Sequence, residues 1–66
     1  MATVKVIEIM SDSKNSWEEA TKKAIETASK TIKNIRSAWV QDQSVVVDSG
    51  NVSKFRVSLK VSFEIK

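Results

Sequence analysis

Residues 52–65 read VSKFRVSLKVSFEI, and from Lys54 onward apolar and polar side chains alternate without a break. Such a period of two is typical of a strand with one buried face. The pattern predicts a long strand over 52–65 whose apolar face is wide enough to cover a helix. The residues on that face are Phe55, Val57, Leu59, Val61, Phe63 and Ile65.

A helix is predicted over residues 16–33, with Asn34 as its C-terminal residue. Ser16-Trp17-Glu18-Glu19 fits a capping box, in which the Ser16 hydroxyl and the Glu19 carboxylate each accept a backbone N–H. Apolar residues then recur near helical spacing. Most of them are Ala, which lets a helix lie close to a sheet. This stripe comprises Ala20, Ala24, Ala28, Ile32 and Ile35, with Ile25 beside it.

Two further strands complete an α+β unit. Residues 3–10 (TVKVIEIM) and 36–48 (RSAWVQDQSVVVD) are rich in β-branched residues, and Ser49-Gly50-Asn51 is a tight-turn sequence. The predicted order is β-α-β-β, with a three-stranded antiparallel sheet wrapped around one helix. We expect residues 1–66 to form a single domain.

The composition excludes several classes of function. The 66 residues contain no Cys and no His, which removes disulfides, thiolate metal sites and the commonest catalytic base. We therefore predict a protein that is not an enzyme. The net charge of +3 is mild and its lysines are scattered, so no nucleic acid is expected as partner. Without a long apolar run, no membrane is expected either, and the predicted location is cytoplasmic.

Oligomerisation is the remaining way to stabilise so short a chain. If Ser49-Gly50 forms a two-residue loop, Trp39 lies opposite Lys60, on the face turned away from the helix. Val45 and Val47 then share that face, unless a β-bulge within 45–47 changes the register. An apolar face of this kind is expected to meet other subunits.

The order, spacing and length of these segments resemble the dodecin family, whose members assemble twelve copies into a hollow shell. The resemblance covers nearly the whole chain and implies a homododecamer. It rests on Val4-Lys5-Val6-Ile7-Glu8-Ile9, Ser13-Lys14-Asn15-Ser16-Trp17-Glu18-Glu19-Ala20, Asn34-Ile35-Arg36 and Phe55-Arg56-Val57-Ser58-Leu59-Lys60-Val61-Ser62-Phe63.

The resemblance implies a flavin site, at which this chain departs from the family. Many dodecins bind riboflavin or FMN through a Trp early in the second strand and a Gln early in the third. An ungapped count places Ser37 and Arg56 at those two positions. Trp39 lies two residues beyond Ser37, on the same face and about 7 Å along the strand. Asp42-Gln43 matches an acidic-Gln pair of the family, whose acidic member contacts the ribityl chain of the flavin.

Three interpretations follow. The first is a shell that binds, stores or buffers a small ligand, with an altered flavin site, as in the dodecin subgroup that lacks the Trp and Gln and is associated with calcium. The second is a flavin-binding dodecin that uses Trp39 and Arg56. The third is a structural or interaction protein without a small ligand.

Some candidate residues have an ordinary structural interpretation as well. Arg56 contacts a phosphate or carboxylate ligand, or else it pairs with an acidic residue of a neighbouring subunit, such as Asp42 or Glu64. Trp39 is either a ligand platform or an interface residue. The acidic residues are too scattered for a calcium loop within one chain, so a metal site between subunits stays open, with its residues unknown.

Overall fold

The computed structural model describes residues 3–65 and contains three strands and one helix. In chain order these are β1 (Thr3–Ser13), α1 (Trp17–Ser29), β2 (Ile35–Asp48) and β3 (Asn51–Ile65). The strands form one antiparallel sheet in the order β1-β3-β2. The predicted β-α-β-β topology is confirmed. Across residues 3–65, no helix combines the length and the apolar character needed to cross a membrane.

The core lies between the central strand and the helix. Val57, Leu59 and Val61 of β3 are fully buried, as the alternation in that strand predicts. They pack against Ala20 and Ala24 of α1, whose short side chains let the helix backbone approach the sheet. The core is completed at its margins by partly buried Ile7, Ile9, Trp17, Ile25 and Ile35.

The helix is shorter than its apolar stripe predicts. α1 ends at Ser29 with Lys30 as its C-cap, four residues before the predicted end at residue 33. The last turn tightens, because Lys30 N donates to Thr27 O and Thr31 N to Ala28 O, both at 3.2 Å. Two β-branched residues follow and favour leaving the helix. Asn34 then takes a left-handed φ of 65°, which turns the chain into β2.

The β2–β3 pairing shifts register at three points: one lies between Ile35 and Ser37, and the other two are compensating bulges nearer the turn. The turn is the predicted two-residue loop: Asp48 pairs with Asn51, and Ser49 and Gly50 have φ of 52° and 79°. Between Val46 and Val47 the register skips Ser53 on β3. Between Val40 and Asp42 it skips Gln41 on β2. Because one extra residue lies on each strand, the two shifts cancel before Trp39, which pairs with Lys60 as predicted.

The bulge at Gln41 changes the face of the valines that follow it in β2. Val45 pairs with Phe55, and directly opposed residues point to the same side of a sheet. Val45 therefore lies on the helix side, and Val47, two residues further along the same strand, lies there too. The prediction that Val45 and Val47 share the face of Trp39 is wrong. The cause is the bulge at Gln41, which lies on β2 between Trp39 and these valines and shifts the alternation of that strand by one residue.

The end of the hairpin extends beyond the rest of the molecule. β1 stops at Ser13, opposite Phe55, and α1 starts near the same level. Residues 46–54, here called the hairpin arm, reach about 14 Å further without β1 or α1 beside them. The Cα radius of gyration is 13.5 Å, against about 11 Å for a compact chain of this length. The shape is therefore that of an extended subunit.

Candidate functional site

The sheet surface turned away from α1, here called the outer face, carries most of the predicted site residues. Its central row is the polar side of β3, from Lys54 to Glu64. Four of the five predicted site residues lie on this face: Ser37, Trp39 and Asp42 are opposite Ser62, Lys60 and Ser58, and Arg56 is in the central row.

Gln43 lies on the other side of the sheet. It pairs with the fully buried Val57, so its side chain points to the helix side. Neighbouring residues of a strand point to opposite faces, and Asp42 and Gln43 therefore do not line one surface of a single chain. The bulge at Gln41 explains why Asp42 joins Trp39, three residues earlier, on the outer face.

Ser37 is engaged within the sheet. Its Oγ lies 2.6 Å from Ser62 Oγ, in the hydrogen-bonding range for two hydroxyl groups. Ser62 is itself buried. Where the family resemblance implies a flavin-stacking Trp, this chain has two small hydroxyl side chains that satisfy each other.

Arg56 is engaged by an acidic residue of its own chain. Its Nε donates to Asp12 Oδ1 at 2.7 Å, and its Nη2 donates to Asp12 Oδ2 at 3.2 Å. The hydrogen bonds and charge of Arg56 lower the pKa of Asp12, and Asp12 in turn raises the pKa of Arg56. The partner is therefore Asp12, whereas Asp42 and Glu64 of a neighbouring subunit were the predicted candidates. Glu64 accepts a hydrogen bond at 2.9 Å from Arg36 Nη2.

Trp39 is the main aromatic surface of the outer face. Its side chain is 48% exposed, and its cross-strand neighbour is Lys60. The other tryptophan, Trp17, has a structural role, as its position at the helix start suggests. It lies edge-on to Phe55 with ring centroids 5.1 Å apart, and its Nε1 donates to Ser44 O at 2.9 Å.

The start of α1 contains a second polar cluster. Glu19 N donates to Ser16 Oγ at 3.0 Å, which is one half of the predicted capping box. The other half differs, because Ser16 N donates to the buried Ser13 Oγ instead of to Glu19. The Glu19 carboxylate accepts from Asn15 Nδ2 and from Ser13 Oγ, and these bonds lower its pKa.

Sequence reasoning missed the role of Ser13. Its hydroxyl accepts from Asn15 N at 2.9 Å and donates to Glu19 Oε1 at 3.0 Å, so it links the end of β1 to the helix start. The signal in the sequence is Ser13-Lys14-Asn15-Ser16, because Ser and Asn before a helix commonly bond to nearby backbone groups.

The described chain does not build a metal centre of its own. Within residues 3–65, no three His, Cys, Asp or Glu residues lie together as a metal-binding group. A cation held beside Asp42 on the outer face would have that one carboxylate in its cross-strand row, since the row continues through Ser58 to Met10. Calcium takes six to eight oxygen ligands, so oxygen atoms of another chain or of water would have to complete such a site.

These features define a small β-α-β-β protein whose outer face is available to other molecules, and comparison with known proteins gives the family. The dodecin family profile matches residues 3–66. The chain belongs to the dodecin family.

Among its relatives, the calcium dodecin of Mycobacterium tuberculosis is 38% identical over 66 residues, which is 100% of this chain and 93% of that protein. A crystal structure of that calcium dodecin, described as calcium-chelating with a novel calcium-binding site, matches with a TM-score of 0.86 over 97% of this chain and 91% of that one. The dodecin from Streptomyces davaonensis is 25% identical and matches with a TM-score of 0.94 over 98% and 96% of the two chains.

Proposed function

We propose that this protein is a non-enzymatic homododecameric shell of the cytoplasm that binds, stores or buffers a small ligand, and that it associates with calcium ions instead of using the usual flavin site. The observation that carries this proposal is the bidentate bond between Arg56 and Asp12. A flavin edge presents both donors and acceptors, which a Gln amide matches. Arg56 offers donors only, and two of its nitrogens already donate to Asp12.

The pair at the other altered position supports the same conclusion. Ser37 and Ser62 bond to each other and offer no aromatic surface for stacking. The relative with 38% identity is a calcium dodecin, which favours calcium as the ion. Because no group of three potential ligands occurs within residues 3–65, we place the ion between subunits, where symmetry brings copies of one carboxylate together.

Assembly is supported by the shape and the surface of the chain. Among the described residues, the buried apolar core consists of three alanines and three β3 side chains, which is little for 66 residues. Large apolar side chains remain exposed on both sheet faces, as expected of a subunit whose burial is completed by its neighbours. They are Val4, Val6, Met10, Trp39, Val40, Val45, Val47, Val52 and Ile65.

A flavin-binding dodecin is the second candidate function, and one observation favours it. Trp39 is half exposed and lies on the same face as Arg56, so it offers a stacking surface displaced along β2 from Ser37. In that case FMN is favoured over riboflavin, because its phosphate would compete with Asp12 for the guanidinium of Arg56.

The test is a parallel titration of chelator-treated protein with calcium, riboflavin and FMN. We expect calcium to raise the melting temperature and a chelator to reverse the rise, because a ligand bound only to the folded state stabilises it. We also expect flavin fluorescence to stay unquenched. Strong quenching that saturates near one flavin per chain would establish the second candidate instead. If the protein responds to none of the three compounds, the interpretation that remains is a structural protein without a small ligand.

A further inference from the structure

The groove between α1 and β1 is the surface that the structure leaves most clearly without a partner. It is lined by Ile9 and Met10 of β1 and by Ala24, Ala28 and Ile32 of the helix segment, and its volume is about 350 Å³. No charged side chain lines it. β1 has β3 as its one neighbour in the sheet, so the groove runs along an open strand edge, which is a surface that proteins normally cover.

The hairpin arm carries exposed apolar side chains of the kind that could fill such a groove. Val47 and Val52 pair with each other near its end and are 61% and 51% exposed. Both lie on the same side as Val45, at the base of the arm, because Val47 is two residues beyond Val45 on β2 and Val52 is its direct cross-strand partner. A two-stranded ribbon with one apolar side is marginally stable in water unless something packs against it.

We infer that the hairpin arm of one copy docks into the α1–β1 groove of a second copy, with the valines of the arm against Ile9, Ala24 and Ala28. This inference rests on the proposed homo-oligomer and names the surfaces through which it forms. The occupant is a second copy because one chain carries both an apolar projection without cover and an uncharged apolar groove. Within one chain the two cannot meet, since the arm points away from α1 beyond Ser13 and Phe55.

The inferred contact has a definite symmetry. The arm and the groove are different surfaces, so the interface is heterologous and must close into a ring to satisfy every copy. A ring of three copies is compatible with a twelve-subunit shell built from threefold and twofold axes. The outer face, with Trp39 and Asp42, is then left for the twofold contacts and for the ligand.

The first test changes each surface separately. Val47→Asp places a charge on the arm, and Thr27→Arg places one at the rim of the groove, where Thr27 is exposed. Ser29→Arg is the matched control, because Ser29 is exposed on α1 and does not line the groove. We expect each of the first two variants to reduce the particle mass by at least threefold in light scattering, whereas the control retains the mass of the unaltered protein. Unchanged particles in both variants would overturn the inference.

The second test does not depend on destabilising the assembly. The chain has no Cys, so copies carrying Val47→Cys and tagged copies carrying Thr27→Cys are refolded together and treated with a short bismaleimide. We expect a covalent dimer of one tagged and one untagged chain, and at least fivefold less of it when Ser29→Cys replaces Thr27→Cys. Equal yields with the two helix positions, or cross-linking of Val47→Cys only to itself, would overturn the inference.

The outcomes separate this inference from the proposed function. If the unaltered protein is monomeric, both the proposed shell and the inferred docking of the arm are wrong. If the protein is oligomeric but the variants show neither the loss of mass nor the cross-link, only the inferred contact between arm and groove is wrong. The calcium titration then still tests the proposed ligand. Circular dichroism of each variant establishes whether it is folded, and for a variant that is not, the cross-linking result is decisive.

Discussion

Arg56 and Asp12 form a two-point bond across the sheet, at 2.7 Å from Nε and 3.2 Å from Nη2. The two residues are direct cross-strand partners near the end of β1. The pair therefore fixes this end of β1 to the central strand. It also occupies a cationic side chain of the outer face, so under the proposed function this one contact would affect both stability and ligand choice.

The variant Asp12→Asn is expected to make the free energy of unfolding depend less on pH in the acidic range. The folded-state pKa of Asp12 is lowered from an ordinary value of 3.8, chiefly by hydrogen bonds from Arg56. Its contribution is therefore fully present above about pH 4 and is lost as the pH falls through the lower folded-state value. Urea denaturation between pH 6 and pH 2.5 should show a smaller acid-dependent decrease in the free energy of unfolding for the variant. Asp48→Asn, at the hairpin turn, is the control, and an equal effect from both variants would contradict the assignment.

Ser13→Ala is expected to cost about 1–3 kcal/mol, because the buried hydroxyl accepts from two backbone N–H groups that lose their partner. The pKa of Glu19 should also move up toward its ordinary value when the Ser13 bond is removed. Chemical denaturation measures the first effect, and NMR titration of the Glu19 carboxyl measures the second. Ser29→Ala on the exposed side of α1 should stay within about 0.5 kcal/mol of the unaltered protein.

Ala20→Leu is expected to destabilise the protein by about 1–3 kcal/mol, because overpacking a filled core forces the helix away from the sheet. Ala20 is fully buried against the central strand. Lys22→Leu introduces the same side chain at an exposed position of α1 and serves as the control. If the two variants have equal denaturation midpoints, the close approach of α1 to β3 does not constrain the size of this residue.

A flavin site should reappear when both altered positions are changed together. Ser37→Trp with Arg56→Gln replaces the Ser37–Ser62 bond with an aromatic surface and the guanidinium with an amide. We expect the double variant to quench riboflavin fluorescence at concentrations at least tenfold below those at which the unaltered protein has any effect. Ser37→Trp with Lys54→Gln is the matched control. An assembled double variant that leaves flavin fluorescence unchanged would show that other residues exclude the ring.

Periodic patterns predicted much of this fold correctly. The alternation from Lys54 to Ile65 located the buried face of β3, and the alanine stripe located the buried face of α1. Both patterns predict burial directly, because apolar residues recur with the period of a strand or helix on the face that packs against the core. The register at Trp39 was also predicted correctly, since the two bulges add one residue to each strand and cancel.

The remaining differences arise where local chemistry competes with these patterns. The apolar spacing continues to Ile32 and Ile35, yet α1 ends at Ser29, because its last turn tightens and the β-branched residues Thr31 and Ile32 follow. Gln43 adjoins Asp42 in the sequence and lies on the opposite face. The partner of Arg56 could not be predicted from local sequence, since Asp12 is 44 residues away and the two meet only through strand pairing.

The bulge at Gln41 also changes which positions of β2 point to the outer face. Before Gln41, the odd positions 37 and 39 belong to the outer face, whereas after it the even positions 42 and 44 do. A scan that places a charged residue at each position of β2 in turn should therefore show an alternating effect on stability whose phase shifts by one residue at Gln41. A homologue without Gln41 would keep Val40 opposite Leu59 and Asp42 opposite Ser58, on alternating faces, so each extra residue can be gained or lost on its own while every other side chain keeps its face.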